Sequence, residues 1–234
     1  MGPEVENTQA TLGGPSPPVL DGLARVGQVI AGYTVEARAG AGGMGVVYRA
    51  SEAGLGRQEA LKLILPERAK DARFRRLFAE ESRKAAALEH PNVIPIYRSG
   101  ADGGVLYIAM RFVDGPNLGQ LVARRGRLPV GAAVRIVSQV ADALDAAHAA
   151  GLVHRDVKPA NILLAEGAGE EHAYLTDFGL AVPVAEGTAQ RGRYAGTLSY
   201  ISPEQIRGGP IDGRADVYAL GGVLFHALTG RAPF

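Results

Sequence analysis

Eight residues, His154 to Asn161 (HRDVKPAN), constrain this 234-residue chain more than any other stretch. They put an acid, two bases, a histidine and an amide next to one another. Asp156 can accept the proton of a hydroxyl nucleophile, and Lys158 can face a negatively charged group. The side-chain carbonyl of Asn161 is a hard oxygen ligand of the kind a phosphate-bound divalent metal takes. Together these groups suit transfer of a nucleotide's terminal phosphoryl group to an alcohol. A charged surface turn would use similar residue types. Six fixed positions, however, recur by chance in only roughly one such chain in a few hundred thousand at ordinary residue usage.

A second feature lies upstream. Gly40, Gly42 and Gly45 form G-x-G-x-x-G, which lets backbone N–H groups approach phosphate oxygens. Alone it fits a bare hairpin turn, a dinucleotide-binding loop or a nucleotide lid. A dinucleotide site leads into a helix, whereas Val46, Val47 and Tyr48 resume a strand after Tyr33-Thr34-Val35, which favours a hairpin. In EALKLIL (59–65) Lys62 stands in an apolar strand, where an ammonium needs either a partner or an exit to water. Residues 73–89 read as a helix of good formers that carries Glu80 and Glu81. Residues 90–97 and 105–113 read as two strands around an Ala-Asp-Gly-Gly turn, and Leu118 starts a short helix. Over 130–150, Val134, Val137, Ala141, Leu144 and His148 recur at helical spacing, and Gly151 ends the run. Asp177-Phe178-Gly179 then supplies a second hard oxygen ligand, Asp177.

These motifs, in this order, resemble those of eukaryotic-type protein kinases; Lys158 with Pro159-Ala160-Asn161 is similar to the serine/threonine branch. GGMGVVY and HRDVKPANILL look like bacterial members. The resemblance implies an α+β, two-lobed fold: an N-lobe of antiparallel sheet with one main helix (about 29–112), a hinge (about 111–116) and a mainly helical, incomplete C-lobe (about 117–234). It implies that ATP lies under Gly40, Ala41, Gly42, Gly43, Met44 and Gly45. Val47, Ala60 and Leu163 would sit against adenine, Met110 would close the back of its pocket, and the backbone of Arg111 and Val113 would bond its edge. Lys62 would orient phosphates, held by Glu81 with Glu80 as runner-up. Asn161 and Asp177 would hold Mg²⁺, or Mn²⁺ in its place, and Asp156 and Lys158 would act on the acceptor. His154 and Phe178 are expected to pack structurally, and Asp216 to brace the catalytic-loop backbone from the start of an apolar helix.

Residues 180–204 resemble an activation segment, with Gly196-Thr197, Tyr200 and Ser202-Pro203-Glu204. Thr197 would help accept a Ser or Thr substrate, and phospho-Thr188 is expected to pair with Arg155. The implied partners are ATP and protein Ser/Thr hydroxyls, with pairing of two kinase domains as a further one. Because the resemblance includes helices beyond Phe234, Glu204 and one face of the last helix are expected to lack cover, which would lower stability. Two other classes carry similar motifs: a nucleotide-binding pseudokinase or docking scaffold, and a small-molecule phosphotransferase. The first usually loses a lysine or aspartate that is kept here, and the second generally lacks the GTxxY and Pro-Glu segment.

Composition narrows the rest. A net charge of +1 gives no reason to propose nucleic acid or an acidic membrane as partner. The absence of cysteine excludes disulfides and thiolate metal sites. No apolar run reaches the roughly 18 residues that cross a bilayer, and no secretory signal opens the chain. A cytoplasmic domain is therefore expected, with any membrane anchor in a later segment. Residues 1–28, with Gly-Gly-Pro-Ser-Pro-Pro and no apolar period, read as a flexible leader.

Overall fold

The computed structural model describes residues 23–54, 56–165, 171–178 and 198–234. The first part is a six-stranded antiparallel sheet in the order β1-β2-β3-β4-β6-β5. Its strands are β1 (Val29–Ile30), β2 (Tyr33–Gly42), β3 (Gly45–Glu52), β4 (Gln58–Ile64), β5 (Ile96–Asp102) and β6 (Val105–Arg111). Between β4 and β5 run α1 (Pro66–Ala69) and α2 (Ala72–Ala86). The second part is built from α3 (Leu118–Arg125), α4 (Val130–Ala149), the hairpin of β7 (Ile162–Ala165) and β8 (His172–Leu175), α5 (Pro203–Arg207) and α6 (Gly213–Thr229).

Alternation gives β4 two working faces. Leu61 and Leu63 point into one apolar cluster with Tyr33, Val35, Val46 and Tyr48, whereas Ala60 and Ile64 join another beneath α2. Lys62 therefore projects to the α2 side. The chain packs onto the outer cluster earlier than the leader boundary expected at residue 28. Ala24 is buried and its N–H bonds Tyr48 Oη, and Gly27 and Gln28 pair with Val35. The earlier leader residues, 1–22, lie outside the described residues.

Two sequence expectations change here. The strand expected over 90–97 begins only at Ile96, and Ala101 and Asp102 pair within it, so the turn is Gly103-Gly104. Both glycines have positive φ, the geometry of a two-residue hairpin turn. Pro91 and Pro95 cannot donate to a ladder. The segment between them instead clips onto β8, with Ile94 N–H on Leu175 O (3.0 Å) and Leu175 N–H on Asn92 O (2.8 Å). The second change is the face of α4. Ala133, Ile136, Val140, Ala143 and Ala147 are buried with Leu144, while Val134 is 48% exposed. The buried stripe is one residue out of step with the expected one. Small alanines line it, as they do the facing side of α6 (Ala215, Ala219, Ala227), and small side chains let two helices approach closely.

α6 starts at Gly213, three residues before the expected Asp216, because Asp212 caps it by accepting from Arg214 N–H at 2.9 Å. Among the described residues, no helix is long and apolar enough to cross a membrane. Val217, Tyr218 and Phe225 of α6 are exposed.

The β2–β3 hairpin separates two kinds of glycine. A Cβ on Gly40, Gly42 or Gly43 would meet nothing within 4 Å, but one on Gly45 would lie 2.0 Å from Leu63 O. Gly45→Ala is expected to destabilise the protein by about 1–3 kcal/mol through forced strand separation. Gly43→Ala should stay within about 0.5 kcal/mol. Urea unfolding of the two variants checks this, and equal midpoints would contradict it.

Candidate active site

The described residues join the candidate groups by a continuous series of contacts. Lys62 Nζ bonds Asp177 Oδ1 at 2.7 Å. Thr176, the residue before Asp177, donates its N–H to Asn161 O at 3.0 Å. Asn161 Nδ2 donates to Asp156 O (2.8 Å) and Oδ2 (3.2 Å), and Lys158 Nζ donates to the same Oδ2 at 2.6 Å. Lys62 comes from the sheet, and the others come from the loop after α4 and the end of β8.

Local sequence fixes this loop. Pro159 opens a short 3-10 turn through Asn161, and the amide end of Asn161 is committed to Asp156. Asp216 is fully buried and accepts from the backbone N–H of His154 (2.8 Å) and of Arg155 (2.7 Å). It thereby holds Arg155 at φ +67°, a left-handed conformation strained for a side chain of this size. His154 is fully buried, its Nε2 donates to Thr176 O at 2.8 Å, and its ring sits 4.7 Å from that of Phe178. Asp177 also has positive φ, +70°. The bracing by Asp216 and the packing of His154 and Phe178 are thus as expected.

Burial raises the pKa of the Asp177 carboxyl, and the Lys62 ammonium, aided by His154 and Lys158, lowers it by more, leaving it below the ordinary carboxylate value. A carboxylate kept charged suits a hard divalent cation. The described residues hold no cluster of three or more His, Cys, Asp or Glu, so phosphate and water oxygens would have to complete such a site.

Above these groups, Ala60, Met110, Val47, Val113, Leu163 and Met44 belong to one apolar cluster. Gly40 and Ala41 lie opposite Val47 and Val46 in the hairpin above it. Thr176 Oγ1 reaches Met110 Sδ at 3.7 Å, a contact at the pocket's back that the motifs did not announce. Arg111 stacks its guanidinium over Tyr174 at 5.1 Å. Gly115 is needed for space: a Cβ there would lie 2.0 Å from Leu164 O, where residues 115–116 run against β7.

One expected pair is replaced. Glu81 does not hold Lys62; Glu81 and Glu80 both bind Lys84, at 3.1 and 3.0 Å. Lys84 sits three and four residues farther along the same helix, so it competes locally for both carboxylates. The face of α2 turned to the sheet carries Phe74, Phe78, Ser82 and Ala85, and the buried Ser82 hydroxyl has no partner among the described residues. Ser82 instead lines a small cavity with Met110, Asp177 and Phe178. Arg155 Nε is buried without a partner among the described residues. Gln205 Nε2 holds Arg155 O at 2.9 Å, a role that no motif signalled. Thr188, Thr197, Gly179 and Gly196 lie outside the described residues.

Residues 33–234 match the family described as protein kinase domain. The serine/threonine-protein kinase PknJ of Mycobacterium tuberculosis (strain ATCC 25618 / H37Rv) is 46% identical over 210 residues, 89% of this chain and 36% of that protein. PknF of the same strain is 42% identical over 213 residues, 89% of this chain and 45% of that protein. The chain thus spans less than half the length of these curated relatives. The crystal structure of the Mycobacterium tuberculosis PknI kinase domain superposes with a TM-score of 0.76 at 40% identity, over 90% of this chain and 79% of that one.

Lys62→Met tests the electrostatics. A depressed carboxylate pKa contributes stability above the ordinary value, and that stability is lost as pH falls through the lowered one. Without Lys62, burial of Asp177 acts with less opposition, so its carboxyl is expected to titrate at higher pH. Carboxyl-carbon NMR titration reads this directly, and an unmoved midpoint would contradict it.

Proposed function

The chain belongs to the protein kinase family, and from that membership we propose that it is a serine/threonine protein kinase, moving the γ-phosphoryl group of ATP to Ser or Thr hydroxyls of proteins. The observation that carries the reading is the unbroken series from Lys62 through Asp177, Thr176, Asn161 and Asp156 to Lys158. Such a series supports a reading in which a cation, two metal-suited oxygens, a base and a second cation serve one phosphate group.

Residue roles follow from chemistry. The lobes, about 29–112 and 117–234, close on ATP about a hinge at 111–116. Adenine packs among Val47, Ala60, Met110 and Leu163, and the main chain of Arg111 and Val113 bonds its edge. Gly40, Gly42 and Gly43 leave open the space that a phosphate backbone contact needs. Lys62 orients phosphates. Asn161 and Asp177 hold Mg²⁺ or Mn²⁺, which supplies neutralising charge on the phosphates when bound. Asp156 orients the acceptor hydroxyl and takes its proton, and Lys158 stabilises the charge that develops beside it. Thr197 helps seat the acceptor.

Glu81 supports Lys62 in the active arrangement. A turn of about 100° about the α2 axis, the angle between successive helical residues, exchanges Ser82 for Glu81 at the inner face. Lys84→Met removes the competing ammonium, and basal transfer should rise about two- to fivefold, the scale of surface ion pairs. A rate unchanged by Lys84→Met would contradict this. Arg155, whose buried Nε has no partner among the described residues, is proposed to meet phospho-Thr188.

The test is incubation with labelled ATP and Mg²⁺ beside an Asp156→Asn variant. Label on Ser and Thr that falls at least about a hundredfold in the variant is expected. ATP binding without transfer in the unaltered protein would mark a nucleotide-binding scaffold instead.

A further inference from the structure

We propose that Arg57 and Tyr97 form a clamp, closed on the buried carboxylate of Glu59, that holds the end of β6 and so positions the strand edge that takes adenine. Its effect on nucleotide binding rests on the functional reading above; its effect on β6 rests on geometry alone. Arg57 sits in the turn between β3 and β4, where its O accepts from Glu52 N–H at 3.0 Å. Its Nε and Nη2 both donate to Glu59 Oε1, at 2.9 and 2.5 Å. Glu59 is wholly buried, and its Oε2 has no hydrogen-bond partner among the described residues. A carboxylate so placed depends heavily on the cation it meets. The guanidinium also lies over the Tyr97 ring, 3.9 Å from its centroid. A planar cation can bond through its edge and stack through its face at once, which an ammonium cannot.

The two anchors lie on the strands either side of β6. Glu59 belongs to β4 and pairs with Arg111, the last residue of β6, while Tyr97 belongs to β5, the other neighbour of β6. Arg57 therefore bridges β6 at the point where the chain leaves the sheet for residues 111–116. A bulge in β5 is the independent observation. Ile96 pairs with Met110 and Arg98 with Ala109, so Tyr97 is an extra residue with no partner opposite it on β6. Bulges re-aim side chains, and this one leaves the Tyr97 ring to Arg57 rather than to a cross-strand neighbour. Arg111 N–H meanwhile donates to Pro95 O at 2.9 Å. Main-chain bonds thus hold the edges of β6, and Arg57 spans from one flanking strand to the other.

The experiment compares Arg57→Met, Tyr97→Leu and the double change of Arg57→Met with Glu59→Met against the unaltered chain in two readouts. The first is native-state hydrogen exchange at the Arg111 amide without nucleotide, referenced to the Val140 amide inside α4. The second is calorimetric affinity for adenosine and, separately, for tripolyphosphate with Mg²⁺, the two halves of the nucleotide. Arg57→Met should speed relative exchange at Arg111 and weaken adenosine, each about tenfold, the scale of one lost bond to a charged group. Tripolyphosphate should stay within about twofold, because the groups proposed to meet it lie away from the clamp. Tyr97→Leu keeps the ion pair and should cost about two- to fivefold in exchange and adenosine affinity, the scale of an exposed cation–π contact. The double change removes the buried charge together with its partner, so no orphaned carboxylate weakens the fold; both losses should persist in it. Unchanged adenosine affinity in Arg57→Met would overturn the proposal, as would equal losses for the two probes or full recovery in the double change. If the unaltered chain does not bind adenosine, the functional reading fails, and exchange at Arg111 alone decides whether the clamp holds β6.

Discussion

The ion pair between Lys62 and Asp177 ties the sheet to the helical part and sets the state of everything around it. Lys62 is only 5% exposed, and an ammonium so placed is costly without an anion. Asp177 reaches it because the 91–95 segment clips β8 beneath the sheet, and β8 delivers Thr176 and Asp177. With Lys62 satisfied from below, Glu81 is free to stay with Lys84. The inner face of α2 then closes on Ser82, whose hydroxyl has no partner among the described residues. One pairing choice thus propagates along a helix of fifteen residues.

Beneath that pair the structure is rigid by design of its hydrogen bonds. Asp216 and His154 are wholly buried polar side chains, and each satisfies backbone groups of the loop or its neighbours. Buried polar groups fully bonded in this way specify a single arrangement more sharply than apolar packing does. The two strained residues nearest the site, Arg155 and Asp177, lie at the edges of this network. Strain of this kind persists only where surroundings over-determine it. The site therefore combines a fixed base, carrying Asp156, Lys158 and Asn161, with a helix, α2, whose carboxylates Glu80 and Glu81 pair with Lys84 of the same helix.

How much of this was legible in the sequence depended on how local the chemistry is. HRDVKPAN and Asp177-Phe178 could be read because the groups that act sit beside one another in the chain. The hairpin over 40–45 could be read because β-branched residues follow its glycines. The partner of Lys62 was not legible: Lys84 competes from one turn away, and no motif reports that balance. The face of α4 was not legible, because its tight contact uses alanines rather than the branched residues that dominate an apolar count. The strand at 90–97 is shorter than its apolar run suggests, because Pro91 and Pro95 cannot donate to a ladder. Gly115, Gln205 and Thr176 act by space or by backbone contacts across the fold, which spacing along one chain does not encode.

The central claim is that Lys62, Asp177, Asn161, Asp156 and Lys158 surround one metal-loaded nucleotide. Paramagnetic broadening of NMR signals by Mn²⁺ with a non-hydrolysable ATP analogue measures this most directly. Convergence predicts that the Asn161 side-chain amide and the Asp177 and Gly42 backbone amides are lost together, at one nucleotide-dependent midpoint, while the Leu228 amide near the end of α6 stays sharp. Broadening centred elsewhere, or at Asn161 and Asp177 with different midpoints, would contradict it.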